Sequence, residues 1–181
     1  ITTKATRNHG RPARAPRVVP ASPCPQRVTT SAKINTTGAS MALRAGGTKD
    51  RLGRSTSATD AVDLSALRGI VTYEPEELIL IARPATPLTE VEALLAECGQ
   101  HLAFEPPHWG AAATLGGTLG VGASGPRRFV AGAARDFVLG MEFVDGRGRV
   151  IRTGGRVVKN VTGFDLWRSL VGAYGTLGIM T

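Results

Sequence analysis

Glycine dominates a thirteen-residue segment near the middle of the chain. Residues 113–125 read Ala-Thr-Leu-Gly-Gly-Thr-Leu-Gly-Val-Gly-Ala-Ser-Gly and include no charged side chain. Because glycine lacks a Cβ atom, such a segment lets the backbone approach another group closely and present bare N–H groups to it. Two further glycine-rich segments, 44–53 and 175–181, lie on either side. The sequence therefore predicts one large ligand that contacts the chain at three places.

Seven motifs occur in order along the chain. They are Gly46-Gly47-Thr48-Lys49 and the segments 102–110, 113–117, 124–128, 135–140, 159–166 and 175–181. Together they resemble the PCMH-type FAD-binding domain of the vanillyl-alcohol-oxidase-like flavoproteins, and within that family the FAD-binding subunit of glycolate oxidase. The resemblance covers residues 42–181, whereas residues 1–41 match nothing in it.

The resemblance implies an α+β fold in which FAD lies between two α+β subdomains. It also implies that the domain is truncated at both ends in this chain. We expect the division between subdomains near residues 104–110. Residues 42–181 would then form an incomplete FAD-binding domain. The family's cofactor contacts fall on Gly46, Gly47, Thr48, Lys49, Gly53, Pro106, Thr114, Gly116, Gly117, Ser124, Gly125, Arg135, Gly178 and Ile179.

The first glycine segment has the composition of a phosphate cradle. Two adjacent glycines, Gly46 and Gly47, allow successive N–H groups to point inward, while Thr48 adds a hydroxyl donor and Lys49 adds positive charge. An ordinary surface turn is the alternative. In relatives that attach the flavin covalently a histidine occupies the position of Thr48, so the resemblance implies a noncovalently bound FAD.

The middle segment also fits another nucleotide-binding pattern. Gly120, Gly122 and Gly125 have the G-x-G-x-x-G spacing of a Rossmann turn. That motif needs a hydrophobic strand before it and a helix after it, and the flanking residues 111–118 and 125–128 predict neither. We therefore favour FAD packing along these glycines. Tight helix packing without a ligand is the alternative.

Several charged and titratable side chains follow or precede the glycines. Three arginines follow the middle segment, at positions Arg127, Arg128 and Arg135. They either form a solvated basic face or supply one contact to flavin or substrate. Arg135 could instead form an ion pair with Asp136. His9, His101 and His108 show no metal-ligand spacing. His108 is expected near the cofactor, as a packing or hydrogen-bonding residue rather than a catalytic base. The catalytic residues remain unknown, as does the chemistry of Lys159 and Asn160.

The excess of positive charge lies at the start of the chain. The first 44 residues contain eight Lys and Arg residues and no acidic residue, whereas the remainder contains 14 of each sign. The excess of +8 thus arises in the first 44 residues and predicts no nucleic-acid binding by the domain. Proline-rich and without aromatic residues, this segment is predicted to be a disordered basic tail. Its origin stays open between sequence foreign to the native protein, a transit peptide and a nucleic-acid-binding arm.

Two cysteines, Cys24 and Cys98, can form neither a disulfide framework nor a metal cluster. No apolar run approaches the roughly 20 residues that a membrane span requires. We expect a cytoplasmic protein, with any association with the inner membrane peripheral and mediated by partners.

Short strands are predicted at 61–64, 69–73, 78–82 and 176–181, and a hairpin at 137–153 around Asp145-Gly146-Arg147-Gly148. A helix is predicted over 88–98, with Thr86 as its cap and Gly99 as its end. A shorter helix is predicted over 164–171. Strands and helices do not alternate regularly, which favours α+β over a doubly wound sheet.

The resemblance implies an FAD-binding module of a flavoprotein oxidoreductase acting on 2-hydroxy acids such as glycolate. The alternative is a noncatalytic subunit that holds FAD or relays electrons beside a catalytic homologue. The expected partners are a catalytic flavin subunit and an iron–sulfur subunit of a glycolate-oxidase-like complex. The isolated chain is expected to be inactive, and no metal is expected.

Overall fold

The computed structural model of the chain describes residues 1–8, 40–53, 58, 60–155 and 164–181. Its strands are β1 (Thr2–Lys4), β2 (Thr6–Arg7), β3 (Met41–Arg44), β4 (Asp60–Asp63), β5 (Ile70–Glu74), β6 (Ile79–Ala82), β7 (Gln100–His101), β8 (Val138–Val144), β9 (Val150–Gly154) and β10 (Ile179–Met180). Its helices are α1 (Leu88–Glu97), α2 (Leu115–Val121), α3 (Arg128–Ala131), α4 (Ala134–Phe137) and α5 (Leu166–Leu170).

Six strands form the main sheet, in the order β10-β8-β1-β6-β5 with β9 also paired to β8. All of its pairings are antiparallel. Two smaller pairs accompany it, β2 with β7 antiparallel and β3 with β4 parallel. This mixture of an antiparallel sheet and separate helices confirms the predicted α+β class.

The first residues of the chain depart from the predicted disordered tail. Residues 2–4 form β1, which lies between β6 and β8 in the main sheet, and the side chain of Thr3 is fully buried. The run Ile-Thr-Thr-Lys-Ala-Thr is rich in β-branched residues and alternates buried with half-buried positions, as a strand requires. The prediction is therefore wrong for residues 1–8. Residues 9–39, including His9 and Cys24, lie outside the described part.

The longer helix confirms its predicted position. In α1, Leu88, Val91 and Leu95 are buried, and Gly99 follows the helix with a φ of +64°. The predicted cap is wrong, because Pro87 occupies the N-cap position and gives no side-chain hydrogen bond. Thr86 instead uses its Oγ1 to accept from Gly69 N at 2.9 Å and to donate to Gly69 O at 3.1 Å.

The predicted hairpin is confirmed as β8 and β9. Asp145 holds its turn, because the carboxylate accepts hydrogen bonds from Arg147 N and Arg149 N at 2.9 Å each and from Arg149 Nε at 2.8 Å. The hydrogen bond from the Arg149 backbone is the main reason that the pKa of Asp145 is lowered.

Buried side chains from both sides of residues 104–110 form one core, which includes Tyr73, Leu80 and Leu88 before this segment and Val138 and Phe143 after it. A second, smaller cluster joins β4 to β10 through Val62, Leu64, Leu67, Ala85 and Ile179. Among the described residues, no helix has the length and apolar character that crossing a membrane demands.

Deleting residues 1–7 should lower the melting temperature by at least about 10 °C or abolish the cooperative transition, because β1 is bonded to a strand on each side. Circular dichroism melting measures this. Arg7→Ala, which keeps the strand backbone and alters an exposed side chain, should change the melting temperature by about 1 °C at most. A deletion variant that melts like the intact chain would show that β1 contributes nothing to the fold.

Candidate functional site

The three glycine-rich segments meet in the structure. A Cβ atom at Gly46 would overlap the carbonyl oxygen of Ala112, and one at Gly110 would lie 3.6 Å from Thr48 Cγ2. The first segment thus lies against the start of the second. The approach at position 46 is possible only because glycine has no side chain.

Tyr174, the residue just before the third segment, contacts both of the others. A Cβ atom at Gly53 would lie 3.6 Å from the ring of Tyr174, and one at Gly175 would lie 2.5 Å from Leu43 Cδ1. Tyr174 N donates to Gly120 O at 2.8 Å. The predicted convergence of the segments therefore holds for the described residues.

Most of the middle segment is a helix rather than a loop. Thr114 caps α2, and its Oγ1 accepts from Gly117 N at 3.2 Å. Gly116 packs against residue 84, where an added Cβ would lie 2.5 Å from Pro84 Cβ. Since a helix and no strand precedes Gly122 and Gly125, the Rossmann interpretation is excluded, as predicted.

The first N–H groups of α2 already have protein acceptors. Leu115 N donates to Thr86 O at 2.9 Å, Gly116 N to Pro84 O at 2.7 Å and Thr118 N to Thr114 O at 3.0 Å. With the cap on Gly117, every N–H group in this first turn is satisfied. The start of α2 therefore shapes the site and leaves no donor for a ligand.

Four consecutive donors remain in the first segment. Within the described residues, the backbone N–H groups of Gly46, Gly47, Thr48 and Lys49 donate no hydrogen bond to the protein. We call these four groups the N–H row. Gly47 has a φ of +65°, the left-handed conformation that turns successive N–H groups toward one side. Unpaired donors in a row are suited to an anionic ligand.

Charged side chains surround the N–H row. Lys49 Nζ lies 3.4 Å from Thr48 Oγ1, and burial lowers the pKa of this lysine. Asp50 pairs with Arg44 at 2.9 Å, so its carboxylate near the row is neutralised. The balance of charge at the row therefore favours an anion.

A groove of about 410 Å³ adjoins the row at Gly46. Its walls come from the first segment, the turn after β4, the start of α1 and the start of α2, namely Ala45, Gly46, Ser65, Arg68, Ala85, Pro87, Ala111, Ala112 and Thr114. Small side chains predominate, which leaves space for a ligand group beside the row.

Four further candidate residues lie around the far end of α2. Ser124 Oγ accepts from Ala134 N at 2.9 Å, and Gly125 N donates to Phe104 O at 2.8 Å. Pro106 is buried, and Arg135 is exposed. With seven residues at about 1.5 Å of rise each, α2 places this group about 10 Å from Thr114. The candidates therefore form two groups rather than one.

The last two candidates end the third segment. Ile179 is buried in the small cluster, and a Cβ atom at Gly178 would lie 2.7 Å from Phe143 Cδ2. Both residues hold β10 against β8, which fixes the position of the third segment.

Among the candidate arginines and histidines, Arg127 pairs with Glu105 at 3.7 Å and His108 pairs with Glu92. Asp136 contacts Arg168 at 3.3 Å and accepts from Ala133 N at 2.9 Å, so the suggested pair between Arg135 and Asp136 is wrong. His108 Nε2 lies 2.9 Å from the Glu92 carboxylate of α1, which holds the ring as a hydrogen-bonding residue. Lys159 and Asn160 lie outside the described residues.

The sequence analysis did not identify Trp109 as a site residue. Its indole lies under Lys49, with Nζ 5.4 Å from the ring centroid. The sequence carried no signal for this contact, because only the fold brings Trp109 and Lys49 together.

Comparison with known proteins identifies related chains. The model of a family described as "FAD binding domain" matches residues 25–154. Glycolate oxidase subunit GlcE of Escherichia coli is 46% identical over 141 residues, 78% of this chain and 40% of that protein. Glycolate oxidase subunit GlcD of Bacillus subtilis is 47% identical over 68 residues, 38% of this chain and 14% of that protein. The chain thus spans well under half of either relative.

A solved structure shares the fold. Alkyldihydroxyacetonephosphate synthase superposes with a TM-score of 0.66 at 18% identity, covering 86% of this chain and 28% of that one.

Two glycine-to-alanine substitutions test whether close backbone approach shapes the site. Gly46→Ala should destabilise the chain by about 1–3 kcal/mol, because the new Cβ overlaps the Ala112 carbonyl. Gly120→Ala is the matched control: its Cβ meets open space inside α2, so it should stabilise by about 0.5–1 kcal/mol. Urea unfolding measures both. Equal effects would contradict the described packing.

Proposed function

The chain belongs to the FAD-binding domain family, and from this premise we propose that the N–H row binds the diphosphate of a noncovalently held FAD. The observation that carries the proposal is the row itself, four unpaired donors from Gly46 to Lys49 beside a lysine. Backbone donors in a left-handed turn recur at phosphate sites because they combine close approach with partial positive charge.

The other candidate residues are proposed to act mainly by shaping the cofactor site. Gly53, Thr114, Gly116, Gly178 and Ile179 bring the three segments together through the contacts given above. Pro106, Ser124, Gly125 and Arg135 are proposed to contact the part of the cofactor furthest from the row. Of these, Arg135 has no ion-pair partner within the described residues and is free to approach an anionic or electron-rich group.

Noncovalent attachment follows from the side chain at position 48. A threonine hydroxyl is not a nucleophile of the kind that forms a stable bond to a flavin methyl group, and Thr48 already accepts a contact from Lys49 at 3.4 Å. FAD supplies the hydride-accepting chemistry when bound. The residues of this chain bind and orient it.

We further propose that the chain is the FAD-binding module of a flavoprotein oxidoreductase that acts on a 2-hydroxy acid such as glycolate, as the names of its relatives suggest. Its partners would be a second flavin subunit and an iron–sulfur subunit, with any contact with the membrane made through them.

Electron relay is the second candidate role, and the position of His108 favours it. Hydride removal from a hydroxy acid requires a base for the hydroxyl proton. His108 is paired with Glu92, and no histidine of the described residues lies within the three segments. A subunit that holds FAD without oxidising substrate itself would fit this arrangement.

The purified chain should bind FAD, show a flavin absorption spectrum and release all its flavin on acid precipitation. Gly47→Val should weaken FAD binding at least about tenfold, because a β-branched residue disfavours the positive φ that orients the row. Gly120→Ala should bind normally, since its Cβ meets no atom. Fluorescence titration measures the affinities. Flavin retained in the precipitate would overturn the noncovalent assignment.

Glycolate should not bleach the flavin bound to this chain under anaerobic conditions, whereas dithionite should bleach it fully. The reason is that the described site contains a cofactor cradle without a base. Stopped-flow absorbance near the flavin maximum measures both reactions. Rapid bleaching by glycolate, abolished in His108→Ala, would instead make this chain catalytic and His108 its base.

A further inference from the structure

Lys49 and Trp109 form an isolated cation–aromatic pair beside the N–H row. The ammonium lies 5.4 Å from the indole centroid and 3.4 Å from Thr48 Oγ1. A Cβ atom at Gly117 would lie 3.7 Å from the same Nζ. The lysine is therefore folded back between the first and second glycine segments rather than extended into water.

This placement of a lysine is unusual because it has no carboxylate partner. The ion pairs of the described residues do not include Lys49, and the carboxylate of the adjacent Asp50 is taken by Arg44. Half-burial disfavours a charged ammonium and lowers the pKa of Lys49. An aromatic face compensates in part, since its negative electrostatic potential attracts a cation.

Trp109 is itself poorly explained by packing. Its side chain is 43% exposed, although a tryptophan ordinarily buries most of its surface. It immediately precedes Gly110, which brings it against Thr48. The ring therefore lies beside Lys49 and next to the row, with much of its surface exposed to a ligand that reaches the row.

We propose that Trp109 is a positioning residue, which holds the Lys49 ammonium beside the N–H row so that lysine and backbone together receive the diphosphate of FAD. The inference rests on the proposed function and adds a residue and a role to it. The rotamer freedom that a lysine loses on binding an anion is then lost during folding, so the site is preorganised. Removal of the ring should weaken binding only through Lys49.

A double-mutant cycle tests this dependence. FAD and ADP affinities are measured by isothermal titration calorimetry for the 181-residue chain and for Trp109→Leu, Lys49→Met and the double variant. Trp109→Leu should weaken both ligands roughly 3- to 30-fold, the range expected for loss of a cation–aromatic contact. In the Lys49→Met background, the same change should alter affinity less than about twofold. Trp109→Phe, which keeps an aromatic face, should restore most of the affinity.

Two controls separate positioning from general damage. Arg149→Met removes an exposed cation from the β8–β9 turn, which contributes no residue to the N–H row, and should leave both affinities unchanged, so that loss of net charge alone is excluded. Trp109→Ser provides a second ring-free variant if Trp109→Leu does not fold.

Equal weakening by Trp109→Leu with and without Lys49 would overturn the inference and leave the proposed function intact. Unchanged affinity in Trp109→Leu would overturn it likewise. Failure of the unsubstituted chain to bind either FAD or ADP would overturn the proposed function and the inference with it.

Discussion

Close approach between backbone segments is the constraint on which the site depends. Gly46 lies against the Ala112 carbonyl, Gly116 against Pro84, and Gly125 against Glu105, where an added Cβ would lie 2.5 Å from the carbonyl oxygen. Each contact joins a different pair of segments. Without these glycines the backbone could not approach so closely, and the groove beside the N–H row would change shape.

The hydrogen bonds already made within the protein then determine which backbone N–H groups of these segments can bind a ligand. The first turn of α2 looks like an anion site by position, but Thr86, Pro84 and Thr114 accept from its donors. Gly46 to Lys49 have no such acceptors in the described part of the chain. These four N–H groups are therefore available to a ligand, whereas those of the first turn of α2 are not.

Sequence reasoning was most successful where the signal was local. The periodicity of residues 88–98 and the Asp-Gly turn at 145 predicted α1 and the β8–β9 hairpin correctly. It failed where distant partners decide the outcome. The strand at Thr2–Lys4 forms because β6 and β8 lie on either side of it. The side chain of Thr86 forms hydrogen bonds with the backbone of Gly69 and therefore does not cap α1. Trp109 was missed because only the fold brings Lys49 over its ring.

The central claim is that the N–H row receives the diphosphate. Amide chemical shifts from ¹⁵N-labelled chain titrated with ADP test it most directly, because ADP carries the diphosphate without the flavin. The account predicts the largest shifts at Gly46, Gly47, Thr48 and Lys49, with small changes at the internally bonded amides of Leu115 and Gly116. Large shifts at α2 with an unaffected row would contradict it.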